Sequence, residues 1–523
     1  MSAPRGRTRP GLVLVVLCVS LLIVSLDNTI LNVALPAITR ALNATSAQLQ
    51  WIVDSYAIVF AGLLLVLGSL GDRLGRKRVF MAGLVTFALG SAASAFSGSP
   101  DRLMAARAFM GLGSAAIMPS TLSLLTNVFS DDTRRARAIG IWSGTTGLGV
   151  AIGPVVGGWL LSQFWWGSVF LVNVPIALVG LVATGFLVPD SRDSRAKRPD
   201  PAGALLSVGG MGLLLWGIID APTRTWSSPV VLGALGASVV LLGCFFAWER
   251  RSAHAMLEVD FFRHRRFSVA IGSMALVIFA LMGSLFLLTQ YLQFSLGYTP
   301  LQTGLRVGPV AAVLLVFAPL SNLIVRWIGT KAVAVAGMSS ISAGLLLLSH
   351  TSVHGTYLDS LPALMSLGVG TGLAFAPCTD SVMGSVPIAR AGIGAATNGA
   401  GLQLGGALGV GLLGSLLNGR YGAHMSILLS HYPVPPAVAS VVRGSLGGAL
   451  AVAHGVGGPA GAALAQAGRV AFVNGMDLAT VVGAAAVAVS ALLALVFLPA
   501  RPEAGRPARG STGRPQAAVP AAA

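Results

Sequence analysis

Apolar residues run along this chain in long unbroken stretches, not in the short alternating or helical stripes of a water-soluble fold. A membrane span takes about 20 apolar residues. Fourteen stretches qualify, at roughly 11–35, 50–70, 79–97, 103–127, 138–162, 167–188, 203–220, 229–248, 267–292, 302–325, 332–349, 358–380, 394–417 and 475–498. They are far longer than the alternating strands of about ten residues that build membrane barrels, so spanning helices are predicted. Residues 418–474 interrupt the pattern. Gly/Ala-rich and sparsely charged, they read as an external loop with a short helix around Val438–Val452. Residues 499–523, rich in Pro, Ala and Arg, read as a disordered tail.

Composition agrees. Charged residues make up 10% of the chain and hydrophobic ones 54%, with a mean hydropathy of +0.80. A soluble protein carries about a quarter charged residues. The 34 basic residues outnumber the 17 acidic ones, and in a soluble protein such an excess would suggest nucleic acid. Placement decides otherwise. With a cytoplasmic N-terminus, 26 basic residues fall in inside segments, seven fall outside or at an outer span end, and one, Arg107, lies deep within a span. That is the bias of a multi-pass membrane protein with both termini in the cytoplasm, and no nucleic-acid partner is expected. Arg5, Arg7 and Arg9 precede an apolar run too long for a signal peptide, so the first span is read as uncleaved. Cys18, Cys244 and Cys378 lie inside apolar runs in no metal-ligand spacing, which argues against a disulfide framework or metal site. No P-loop, HExxH or GxSxG occurs, and all seven histidines sit in loops or at span ends, so a membrane-embedded enzyme is disfavoured.

Three local patterns recur between spans 1–6 and spans 9–14. Gly75-Arg76-Lys77 matches Gly329-Thr330-Lys331, and Pro119-Ser120-Thr121 matches Pro377-Cys378-Thr379. Glycines 149, 153 and 157 match 401, 405 and 409. The expected architecture is an all-α polytopic protein of two six-helix bundles with two inserted helices. The segments are a tail (1–10), a first bundle (11–188), a linker with the two extra helices (189–266), a second bundle including the external loop (267–498), and a C-terminal tail (499–523). Transporters built this way hold substrate near the midplane between the bundles.

The motifs narrow the class. Gly68-Ser-Leu-Gly-Asp72-Arg73-Leu-Gly75-Arg76-Lys77-Arg78 resembles the signature loop of the major facilitator superfamily. Gly149-Val-Ala-Ile-Gly153-Pro154-Val-Val-Gly157-Gly158 resembles its antiporter motif. Leu26-Asp27-Asn28-Thr29 with Asn32 and Pro36, and Gln50-Trp51-Ile-Val-Asp54-Ser-Tyr56, resemble the 14-span drug:proton antiporter family. In Arg107-Ala-Phe-Met110-Gly111-Leu-Gly113, methionine takes a place often held by glutamine, so a polar partner for Arg107 is expected from elsewhere.

This resemblance implies a proton-coupled exporter of hydrophobic or amphipathic small molecules, working by alternating access as a monomer in the cell membrane. No cofactor is implied; the proton gradient is the driving force. An importing facilitator or symporter is the competing expectation. Asp27 lies deep in the first span, where a lone carboxylate costs roughly 2.5–3.5 kcal/mol, and it is expected to take part in proton coupling with Arg107 and Asp54. Gly68, Asp72, Arg73, Gly75 and Arg76 are expected to gate, with Asp72 reaching an arginine of 134–137. Gly149, Gly153, Pro154, Gly157 and Gly158 are expected to form an interhelical seal. Asn32, Tyr56, Trp142, Gln290, Gln293, Asn398 and Gln403 are expected to line a substrate cavity.

Overall fold

A computed structural model describes residues 10–129, 131–192, 200–252, 257–386 and 391–498. The expected N-terminal and C-terminal tails, with Arg5, Arg7 and Arg9, lie outside the described residues. The first half contains α1 (Pro10–Leu42), α2 (Ser46–Leu74), α3 (Arg76–Ala95), α4 (Pro100–Val128), α5 (Asp132–Gln163), and a sixth span made of α6 (Ser168–Leu171) and α7 (Asn173–Leu187). Then come α8 (Pro201–Arg224) and α9 (Pro229–Arg251). The second half contains α10 (Arg265–Gln290), which runs into a π turn at Tyr291–Ser295, then α11 (Pro300–Ile328), α12 (Thr330–Leu348) and α13 (Tyr357–Met383). It ends with α14 (Ala391–Leu429), α15 (Pro436–Gly444), α16 (Leu446–Val456) and α17 (Gly458–Phe497). Among the described residues, fourteen helices are long and apolar enough to cross a membrane, as the hydropathy pattern predicts.

The two halves repeat one packing plan. In the first, α1 packs on α5, α2 on α4, and α3 on α4 and α7; in the second, α10 packs on α14, α11 on α13, and α12 on α13 and α17. Local chemistry repeats with it. Thr45 and Gln48 form a reciprocal capping box at the start of α2, and Thr299 and Gln302 form one at the start of α11. Each helix then ends at a glycine of positive φ, Gly75 (+115°) and Gly329 (+89°), where a side chain would be strained. The halves meet along two seams, α2 against α14 and α5 against α11, which the same repeat exchanges.

The inserted hairpin α8–α9 lies beside the first seam. Val208 of α8 fills the gap at Gly62 of α2, while the Ser415 hydroxyl of α14 donates to the Ile218 carbonyl at 2.6 Å. The hairpin thus touches both halves.

Residues 418–474 differ from the expected loop. The structure makes them helical almost throughout: α14 continues to Leu429, α17 begins at Gly458, and α15 and α16 fill most of the space between. Alanine-rich sequence favours helix even where it is not apolar enough to read as a span. The single short helix expected at 438–452 is two, broken at Ser445, whose hydroxyl caps α16 through Gly448 N. Gly447 of α16 sits against Thr39 of α1 and Phe294 of the π turn, so this segment packs over the ends of both halves.

Candidate functional site

Asp27 and Arg107 lie 80 positions apart and meet in the interior of the first half. Arg107 Nη1 is 2.5 Å from Asp27 Oδ2, and both side chains are essentially without solvent exposure. Asn173 of α7 donates to the other carboxylate oxygen at 3.3 Å. The Arg107 Nε–H donates to the Ile52 carbonyl of α2 at 3.2 Å, and its guanidinium stacks over the Tyr56 ring with 4.3 Å to the centroid. Phe170 stands further off, at 5.8 Å. The cation is thus answered by a carboxylate, a backbone carbonyl and aromatic π-surface. The polar partner missing from the α4 motif is Asp27, and Met110 keeps a part of the glutamine's place: its sulfur accepts from Arg107 at 3.7 Å and from the Ser94 hydroxyl at 3.3 Å. A buried pair of this kind offsets its desolvation only when both ions are fully hydrogen-bonded, and removing one partner costs about 3–5 kcal/mol.

The glycines of the antiporter-like motif lie against α1 beside this pair. A Cβ on Gly149 would stand 2.7 Å from Ser25 Cβ, one on Gly157 2.6 Å from Ile30 Cγ1, and one on Gly153 would strike the Thr29 hydroxyl. These contacts bracket Asp27 on either side along α1. Gly158 faces the opposite way, toward the Pro300 carbonyl of α11, and the Pro154 carbonyl faces Gly304. One motif thus seats α1 on one face and closes a seam between halves on the other.

Asp54 has a different setting. It is fully buried, and among the described residues neither carboxylate oxygen has a hydrogen-bond partner. Its place near the start of α2 suggests solvent, yet α14 and α8 cover it: Gly411 lies against its Oδ2, and Leu215 and Ile219 pack beside Ala57 and Ile58. One turn earlier, Gln50 donates to the Val410 carbonyl of α14 at 3.5 Å, crossing the seam.

At the other end of α2, Asp72 is held by Arg76 at 2.7 Å, and Arg76 also reaches the Ser123 carbonyl of α4 at 3.5 Å. The expectation placed the partner among 134–137; the turn at Gly75 supplies a nearer one. Gly68 abuts Pro119 of α4. Arg73 projects exposed at this turn.

The expected cavity residues do not form one group. Gln293, lifted by the π turn, donates to the Val33 carbonyl of α1 at 2.9 Å, which places it beside Asn32 and across the boundary between halves. Gln290 bonds within its own helix to the Phe286 carbonyl. Trp142 donates to the Thr121 hydroxyl at 3.1 Å and is half-buried, as are Asn398 and Gln403. Tyr56 faces Arg107 and gives its hydroxyl to Ser114 at 2.8 Å, so it belongs with the ion pair. Asn173, Ser114 and the π turn were not singled out as functional from sequence. The available signal was a polar residue within an otherwise apolar span.

Two matched helix bundles joined along exchanged seams, the first of them holding a buried ion pair, define a membrane transporter. A model described as the Major Facilitator Superfamily matches residues 17–410, and the chain belongs to that family. It is similar to the multidrug efflux pump LfrA of Mycolicibacterium smegmatis, 34% identical over 497 residues that cover 95% of this chain and 98% of that one. It is also similar to the tetracenomycin C resistance and export protein of Streptomyces glaucescens, 33% identical over 512 residues, covering 97% and 94%. In fold it resembles a bacterial homologue of the human lysosomal transporter Spinster, solved inward-facing and unoccupied. The TM-score there is 0.62 at 18% identity, covering 94% of this chain and 99% of that one.

Proposed function

We propose that this transporter exports hydrophobic or amphipathic small molecules, drugs or antibiotics among them, in exchange for protons by alternating access. It acts as a monomer in the cell membrane, with both termini in the cytoplasm. The observation that carries the reading is the Asp27–Arg107 pair, buried in one half and clamped by the glycine face of α5. A proton on Asp27 removes the negative member of the pair and frees Arg107 to shift its weight to Ile52 and Tyr56. That shift moves α1 and α4 relative to α5, and α5 also forms a seam with the opposite half. Protonation is thereby linked mechanically to opening and closing. The similarity to one relative named as an efflux pump and another named as an export protein supports drug export as the direction and cargo. The test is a drug-susceptibility panel in an efflux-deficient host, with and without a protonophore, followed by transport in proteoliposomes under an imposed proton gradient. Protonophore-insensitive resistance, or transport indifferent to the gradient, would refute the coupling.

A further inference from the structure

At the α2–α3 turn the basic residues divide into two kinds. Arg76 is engaged by Asp72, and the Lys77 ammonium donates to the Gly185 carbonyl at the end of α7 at 2.8 Å. Arg78 and Arg192 have no hydrogen-bond or ion-pair partner among the described residues. These two, with Leu74, Asp190 and Ser191, line a cavity of about 340 Å³. The segment after α7 builds it by folding back over the turn, where the Arg76 N–H donates to the Ser191 carbonyl at 2.9 Å. The Ser191 hydroxyl oxygen is buried without a hydrogen-bond partner among the described residues. Two unengaged guanidinium groups and one unserved hydroxyl around a cavity make a receptor for a tetrahedral oxyanion. With Asp190 counted, the lining carries one net positive charge, which matches a monoanionic phosphodiester.

The surroundings select among phosphodiesters. Arg78, Ala82, Val85 and Leu89 follow one another at helical spacing along α3, and all are exposed. Val182 and Phe186 of α7, the helix packed on α3, extend the same apolar surface, and Leu74 is exposed at the cavity itself. A guanidinium at the head of an apolar stripe is the arrangement that fits a headgroup with its acyl chains running down the helix pair. We infer that this cavity binds the phosphodiester of an anionic glycerophospholipid, with the acyl chains on the α3–α7 face. The occupant clasps the turn that follows Asp72 at the end of α2.

The test is native mass spectrometry of the full-length purified transporter, stripped of lipid and titrated with phosphatidylglycerol, phosphatidylethanolamine, phosphatidylcholine or inorganic phosphate. Phosphatidylglycerol should be retained at one copy. Retention should weaken about tenfold in Arg78→Gln and in Arg192→Gln, the worth of one charge-assisted hydrogen bond, and recover in part in Arg192→Lys. Both positions are exposed at the surface, and a thermal melt of each variant verifies the fold. Equal retention by the glutamine variants and the parent overturns the site. Equal or better binding of phosphatidylethanolamine or phosphatidylcholine overturns the charge assignment. Inorganic phosphate displacing the lipid at similar concentration overturns the lipid in favour of a soluble anion.

Discussion

Each half of this transporter seats one helix on the glycine face of another, but only the first half seats a charge there. In the first, Gly149, Gly153 and Gly157 of α5 receive α1 between Ser25 and Ile30. In the second, Gly405 and Gly409 of α14 receive α10 at the Ala275 and Phe279 carbonyls. The mechanics are duplicated; the chemistry is not. Between Ser25 and Ile30 lies Asp27, paired to Arg107, whereas the matching stretch of α10 from Ala275 to Phe279 is wholly apolar. Helix packing in lipid needs small residues in either half. A buried ion pair is no requirement of packing, and replacing one by apolar residues is often neutral or stabilising. Its presence in one copy of a repeated frame points to a role in the transport cycle.

The sharpest break of this comparison is Asp27→Asn. It keeps the shape of the α5 seat and leaves Arg107 buried without a counter-charge, at a cost of about 3–5 kcal/mol. Proton-driven transport should vanish while protein of correct size still reaches the membrane. Full gradient-driven transport by this variant in proteoliposomes would mean the pair is only structural. Next come Gly153→Leu and Gly405→Leu, the same substitution in the two seats. Overpacking costs each about 1–3 kcal/mol, so both should melt earlier. Only Gly153→Leu should also let protons pass without substrate, read with a pH-sensitive dye in vesicles. Matching leaks in both would show that the two seats are equivalent. Asp72→Asn should follow. The Asp72–Arg76 pair is partly exposed and contributes about 0–1 kcal/mol, so the melting temperature should barely move. Turnover should still slow several-fold if the turn is a gate, and unchanged turnover would reduce Asp72 to a surface pair.

How much of this was legible beforehand depended on the range of the cause. Fourteen helices follow from run length alone, because lipid forces each span to satisfy its own backbone. The repeat followed from local signals that each half states for itself, the Gly75 and Gly329 turns among them. The helices within 418–474 did not, since a Gly/Ala-rich segment that is not strongly apolar lacks the hydropathy that marks a span. The motifs marked Asp27 and Arg107 as separate oddities, and nothing within either motif shows that one answers the other across 80 positions. Asp54 shows the limit most clearly. Its position near a helix start implies water, but its burial is decided by α8 and α14, more than 150 residues further along.

Asp54 also makes the finest test. Asp27 has a counter-ion and a hydrogen-bonding amide; Asp54 has neither among the described residues, and it sits where α2 must part from α14 if the halves rock. A charge sealed there has nothing to answer it, so a seam that closes readily over the neutral acid closes less readily over the carboxylate. Raising the pH should therefore slow the parent more than Asp54→Asn, whose amide is neutral throughout. At acid pH the two should differ by no more than about threefold in turnover, under about 1 kcal/mol. The measurement is transport rate against pH at constant gradient. Parallel profiles would show that the seam does not sense the charge of Asp54, and would leave Asp27 as the only acid of the pair of helices with a part in coupling.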